Sequence, residues 1–121
     1  MLGSLRFPSD VGGEEEMEIE VFRQMVHKHP RGFLGRYGLG DKLLQEGRNL
    51  EEAVEHLRVA VELDPVHVAS HLALGRALGT LKRNDEAKAI LLAGIEAATS
   101  GRSSGGGDLI PEMRNLLQSL N

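Results

Sequence analysis

Apolar residues along this chain recur every three or four positions, and no stretch alternates as a half-buried strand would. That spacing predicts helices. Ile19, Phe22 and Met25, with Val26, form one stripe and predict a helix from Glu14 to about His29. Its first turn is acidic (Glu14, Glu15, Glu16), which suits the positive end of a helix dipole. A second helix is expected from Gly32 to Glu46, with Gly47 as its stop. Asn49 is placed to cap a third, which opens Leu50-Glu51-Glu52-Ala53 and ends at Asp64-Pro65. A further pair is predicted over 66–81 and 85–98, with Asn84 as the cap between them. Ser100 to Gly107 reads as a flexible loop of Ser and Gly. A last helix then carries Leu109, Ile110, Met113, Leu116, Leu117 and Leu120 on one face, and Pro111 suits its first turn.

The pattern also repeats. Leu39-Gly40 returns as Leu74-Gly75, 35 residues on, and Ala53 returns as Ala87, 34 on. Gly40 and Gly75 each cost about 1 kcal/mol inside a helix relative to Ala. The same cost at the same site suggests that helices approach closely there. A unit of this size is the signature of stacked helical hairpins. The residues resemble the tetratricopeptide repeat (TPR). The first unit matches with Leu39, Gly40, Leu43, Gly47, Ala53, Leu57, Ala60 and Pro65, and carries one extra residue between Gly47 and Ala53. The second matches with Leu74, Gly75, Leu78, Ala87 and Leu91. It departs at Lys82, Gly94 and Thr99, where Gly, Ala and Pro are usual, and Arg36 and His71 stand where the motif often has an aromatic. Phe22 precedes Pro30 by eight residues, as Leu57 precedes Pro65, so residues 14–29 resemble the second helix of a degenerate repeat.

The resemblance implies an all-α stack of antiparallel hairpins, a fragment of a right-handed solenoid. Its expected layout is a disordered lead over 1–13, a half repeat over 14–29, and full repeats over 32–65 and 66–99. The loop 100–107 and a capping helix over 108–121 follow. The cap is expected to rest on Ile90, Leu91 and Ile95, because an uncovered stripe of large apolar residues invites aggregation.

Composition narrows the class. Of 121 residues, 40% are hydrophobic and 26% charged, an ordinary single-domain profile. The net charge of −4 argues against general nucleic-acid binding, which needs clustered Lys and Arg. The absence of Cys excludes disulfides, a cysteine nucleophile and zinc-thiolate sites. No signal-like start and no membrane-length apolar run are seen, which makes the cytoplasm the expected location.

Local chemistry is sparse. His67 and His71 are four apart on a helix and could share a metal, but no third ligand follows, so no metal site is expected. Gly105-Gly106-Gly107-Asp108 lacks the strand and the Lys-Ser/Thr of a phosphate loop. No acid, base and orienting group gather as catalysis requires, so neither an enzyme nor a cofactor is expected.

The resemblance implies a groove lined by the first helix of each hairpin. The first unit would offer Leu34, Tyr37, Gly38, Asp41 and Gln45; the second, Ala69, Leu72, Ala73, Arg76 and Thr80. Tyr37, Leu72 and Arg76 are the expected anchors, and Asp41 and Arg76 could pair with each other. TPR proteins that grip chaperone C-termini use Lys and Asn at set groove sites; here the matching sites hold Tyr37, Asp41, Ala73 and Arg76, and Asp41 would repel a carboxylate. The expected function is a non-catalytic adaptor or scaffold that binds a peptide or helix of another protein. The rival expectation is a self-associating subunit that uses the 109–120 helix, since fewer than three repeats usually need help.

Overall fold

The computed structural model describes residues 9–103 and 105–121. Six α-helices follow one another: α1 (Ser9–Lys28), α2 (Phe33–Glu46), α3 (Leu50–Leu63), α4 (Val68–Thr80), α5 (Asn84–Thr99) and α6 (Ile110–Ser119). A short 3-10 turn, Gly107–Leu109, leads into α6, and no strand occurs among the described residues. The architecture is an all-α helical repeat. α2 pairs with α3 and α4 with α5, while α1 leans on α2, α3 on α4 and α6 on α5.

The hairpins close as the small residues require. An added Cβ at Gly40 would lie 2.6 Å from Leu57 Cγ, and one at Gly75 would lie 2.6 Å from Leu91 Cδ2. Ala53 and Ala87 are fully buried beside these crossings. Each helix cost of a buried glycine is therefore offset by tight packing against a leucine. One core cluster joins Ile19, Leu39, Leu43, Leu57, Leu74 and Leu78 across α1 to α4. A second gathers Val68, Leu72, Leu91, Ala97 and Met113 from α4, α5 and α6.

The turns within the two hairpins share one geometry. Gly47 has φ 65° and its N–H donates to Leu44 O, while Arg48 N–H reaches Leu43 O. At the second hairpin Lys82 takes the same left-handed conformation, φ 66°, and Arg83 N–H reaches Leu78 O at 2.9 Å. A lysine thus does the work of a turn glycine, at a steric cost glycine would not incur.

Ion pairs run between successive second helices in register. Arg23 of α1 binds Glu52 of α3 through both carboxylate oxygens, the longer contact being 3.2 Å. Arg58 of α3 binds Glu86 of α5 at 2.8 Å. Arg23 and Arg58 are 35 residues apart and Glu52 and Glu86 are 34 apart, the repeat spacing itself. Arg36, at the motif's aromatic site, donates from Nε to Pro30 O at 2.7 Å and from Nη1 to His56 Nδ1 at 3.0 Å. A guanidinium only donates, so His56 Nδ1 carries no proton and Nε2–H donates to Glu52 at 3.2 Å. Burial works against the Glu52 carboxylate, but the hydrogen bonds from Arg23 and His56 hold its pKa below the usual range.

Three details differ from the sequence-based expectation. α1 begins at Ser9, before the acidic turn at Glu14. Of the expected disordered lead, residues 1–8 lie outside the described residues. Asn49 stands at the cap of α3 in a left-handed conformation, but its side chain makes no capping bond. Asn84 lies inside α5 rather than before it and donates from Nδ2 to Leu120 O at 3.4 Å, tying α5 to the end of α6.

Candidate functional site

α6 covers the second repeat. Met113 is fully buried at its centre, with Leu72 of α4 and Leu91 of α5 in the same cluster. Gly94, where the motif usually has Ala, makes room for this: a Cβ there would stand 2.6 Å from His71 Cβ and 3.0 Å from Met113 Sδ. The stripe of α6 meets Leu91 and Ile95 as expected, but Ile90 packs in the other cluster and Val68 and Leu72 join instead. Gly106, at φ 93°, lets the loop close over Val68; a Cβ there would lie 2.5 Å from Val68 Cβ.

This placement divides the expected groove residues. Leu72 is buried in the cluster with α6 and Ala73 against the first repeat, so neither is open to a partner in this state. Ala69 is half-buried and Thr80 exposed. Arg76 pairs with Glu112 of α6. Asp41 does not meet Arg76; it accepts from Gln45 Nε2 at 2.7 Å. Asp41, Gln45, Arg76 and Thr80 nevertheless line one cavity of about 540 Å³, closed on its far side by Leu116 and Leu120. The α6 stripe faces its own chain, so self-association through that stripe would first require α6 to leave α4 and α5.

The first unit stays open. Leu34, Tyr37, Gly38, Asp41 and Gln45 line a cavity of about 850 Å³ between α1 and α2. Leu34 is 61% exposed. Met17 and Val21 of α1 complete the apolar wall, 69% and 58% exposed. The sequence reading missed these two, because it assigned α1 a single stripe through Ile19 and Phe22. Their signal is a second apolar pair four residues apart, one helical turn, off that stripe.

Gly38 is not an open floor. A Cβ there would stand 2.3 Å from the Phe22 ring, so Phe22 already fills the space above it. Tyr37 is also engaged. Its ring stacks on Phe33 at 5.7 Å, and the His67 ring meets both edge-on at 5.0 and 4.9 Å. Burial, and then the Asp41 carboxylate, push the Tyr37 phenol's pKa up. Tyr37 therefore holds α2 to α4 as well as facing the cavity.

The rim is acidic, with Glu14, Glu18 and Asp41 around the apolar wall. Lys42 Nζ meets Glu18 at 2.6 Å, and that hydrogen bond pushes the lysine's pKa up.

His67 and His71 do not converge. His67 Nδ1 lies 2.7 Å from Ser70 Oγ and its ring packs on Phe33 and Tyr37. His71 is buried, and its Nδ1 hydrogen-bonds His67 O at 3.3 Å. Among the described residues, no three His, Asp or Glu side chains gather to hold a metal ion, and no helix is long and apolar enough to cross a membrane.

A stack of helical hairpins with exposed apolar residues along one face defines a protein–protein interaction module. The tetratricopeptide repeat family model matches residues 19–66 and 37–102, and the chain belongs to that family, which is typically non-catalytic. Among solved structures, one described as a complex of the TPR2B domain of yeast Sti1 with pHsp70 is similar in fold. Its TM-score is 0.77 at 17% identity, over 93% of this chain and 86% of that one. No curated protein sequence matches.

Proposed function

We propose that this protein is a non-catalytic adaptor that binds a segment of another protein on the face formed by α1, α2 and α4. Its apolar anchor is the α1–α2 cavity. The observation that supports this is the exposure of Met17, Val21 and Leu34 around one concave site. Clustered apolar exposure with a polar rim marks interaction surfaces. Binding energy at such surfaces concentrates in a few apolar and aromatic anchors. Asp41, Gln45, Arg76 and Thr80 extend the face toward α6 and supply polar contacts. Leu34 and Arg76 remain proposed contact residues, with Tyr37 in the cavity wall; Leu72 would join only if α6 moved, and Ala73 is buried against the first repeat.

The yeast neighbour's complex carries no direct lesson about this chain's partner. Tyr37, Asp41, Ala73 and Arg76 stand at the sites where chaperone-tail binders use Lys and Asn. Asp41 repels a carboxylate, and Arg76 is engaged by Glu112. The reading therefore turns away from acidic C-terminal tails.

The test uses partners captured from the native source by the full chain. Leu34→Asp should abolish capture of the specific partner, while Leu92→Asp, at an equally exposed leucine of α5 (58%), should leave it intact. A partner retained by the Leu34 variant and lost by the Leu92 variant would move the site to the outer face.

A further inference from the structure

In each full hairpin the second helix is covered by its own first helix: α2 lies on α3, and α4 on α5. α1 occupies the place of a second helix, and no described helix precedes it. Equivalent sites show what the place lacks. Val21 corresponds to His56, 35 residues on; Val21 is 58% exposed, whereas His56 is 8% exposed beneath Arg36 of α2. Gly38 and Lys42 of α2 correspond to Ala73 and Ala77 of α4, which the first repeat buries. Among the described residues, the α1–α2 cavity is thus the open seat of a first helix.

Charge defines what fits it. Glu14, Glu18 and Asp41 surround the apolar wall, and Glu18 stands where the full hairpins have the buried Ala53 and Ala87. A second copy docking through the same face would set these carboxylates against their own kind, which is destabilising. A helix with an apolar stripe flanked by Lys or Arg meets both the wall and the rim. Resting on the adaptor reading above, we propose that the site takes a basic amphipathic helix of a partner protein, which completes the half repeat in trans. Such a helix would lie across Met17, Val21 and Leu34, its cations facing Glu14 and Asp41, and its backbone would stand farther off than α2 does from α3, because Glu18 and Lys42 replace the small residues of a close crossing.

The probe is a synthetic 14-residue peptide, the length of α2, with Leu at helical spacing and Lys on both flanks. Two controls accompany it: the same composition arranged in alternation, and a version with Glu in place of every Lys. Each is titrated into the isotopically labelled full chain and followed by amide chemical shifts and by peptide circular dichroism. The helical basic peptide should shift residues around Met17, Val21 and Leu34, gain helicity on binding, and weaken with added salt. Val21→Asp combined with Met17→Asp should weaken it about tenfold or more without altering the fold, since both residues are exposed. The glutamate version should bind at least tenfold less tightly.

Equal or tighter binding of the alternating peptide would overturn the helix proposal and leave the adaptor reading standing. So would shifts confined to Arg76 and Thr80. Failure of all three peptides to bind overturns it too. If sedimentation showed a dimer that Val21→Asp dissolves, a second copy would be the occupant. If the helical peptide bound only after removal of residues 1–8, the chain's own leading segment would be. A native partner whose capture survives the Met17, Val21 and Leu34 substitutions would sink both readings.

Discussion

The two ends of the stack are built from the same repeat and finished in opposite ways. At the α5 end, α6 lies in the place of a further first helix, and its Met113 seals Leu72 and Leu91. At the α1 end the corresponding place is open, and Met17, Val21 and Leu34 face outward, fringed by carboxylates and by the Glu18–Lys42 pair. One end stores its apolar surface; the other displays it. A helical repeat needs its exposed faces covered or made polar to remain soluble. Here the uncovered end keeps both an apolar floor and an acidic fringe, a combination suited to a partner rather than to water alone.

The largest effect should come from opening the closed end. Met113→Ala should cost about 2–5 kcal/mol in a denaturant melt, as truncation of a fully buried side chain does. Removing 108–121 altogether should expose Val68, Leu72 and Leu91 and promote aggregation. A truncated chain of undiminished stability would show that α6 is an appendage and would erase the contrast between the ends.

Next comes the register shared by both halves. Ala53→Leu and Ala87→Leu should each cost about 1–3 kcal/mol through overpacking, since both methyls are fully buried at a helix crossing. Thermal melts check this; an unchanged Tm for either would mean that its hairpin can spread apart.

A smaller, pH-dependent effect belongs to the closed end alone. Burial lowers the His71 pKa, despite its hydrogen bond to the His67 carbonyl. The unfolded chain then binds the proton more readily than the folded one. Stability should decline as pH falls below the ordinary histidine value near 6.5, and level off once pH lies beneath the folded pKa. His71→Leu, which takes up no proton, should flatten that part of the stability–pH curve.

Lys82→Gly should raise stability by about 1 kcal/mol or less by relieving the left-handed lysine. The smallest change in stability, within about 0.5 kcal/mol, is expected for Leu34→Asp at the open end. Its effect should appear in partner binding only. Tyr37→Ala is the poorer probe, because the ring also packs on Phe33 and His67 and its loss would disturb the fold.

The hairpins were legible because their constraints are local and repeated. Leu39-Gly40, Ala53 and Leu57 announce a close crossing, and the same letters recur one unit later. The site was less legible. The motif says which side of α4 Leu72 occupies, but not which later segment comes to lie there. That depends on Gly94 yielding space to Met113, two residues nineteen apart whose pairing no local spacing encodes. Met17 and Val21 escaped notice for a related reason. An apolar residue on an amphipathic helix is read as core unless something shows that its neighbour is missing. Asn84 looked like a cap and serves instead as a tie to Leu120.

The pairs Arg23–Glu52 and Arg58–Glu86 act like the plugs and sockets of a modular chain. α3 carries both fittings: a socket, Glu52, toward the preceding unit, and a plug, Arg58, toward the next. The outermost units each lack one. The socket of α1 would stand at position 17 and is Met17; the plug of α5 would stand at position 92 and is Leu92. Both are among the most exposed large apolar residues. An exposed pair such as Arg58–Glu86 contributes only about 0.2–1 kcal/mol, so the consequence of these pairs is one of counting more than of strength. α1 lacks the socket and α5 the plug that would continue the series, and a longer array could be assembled by placing Arg at 92 and splicing another 66–99 unit behind it.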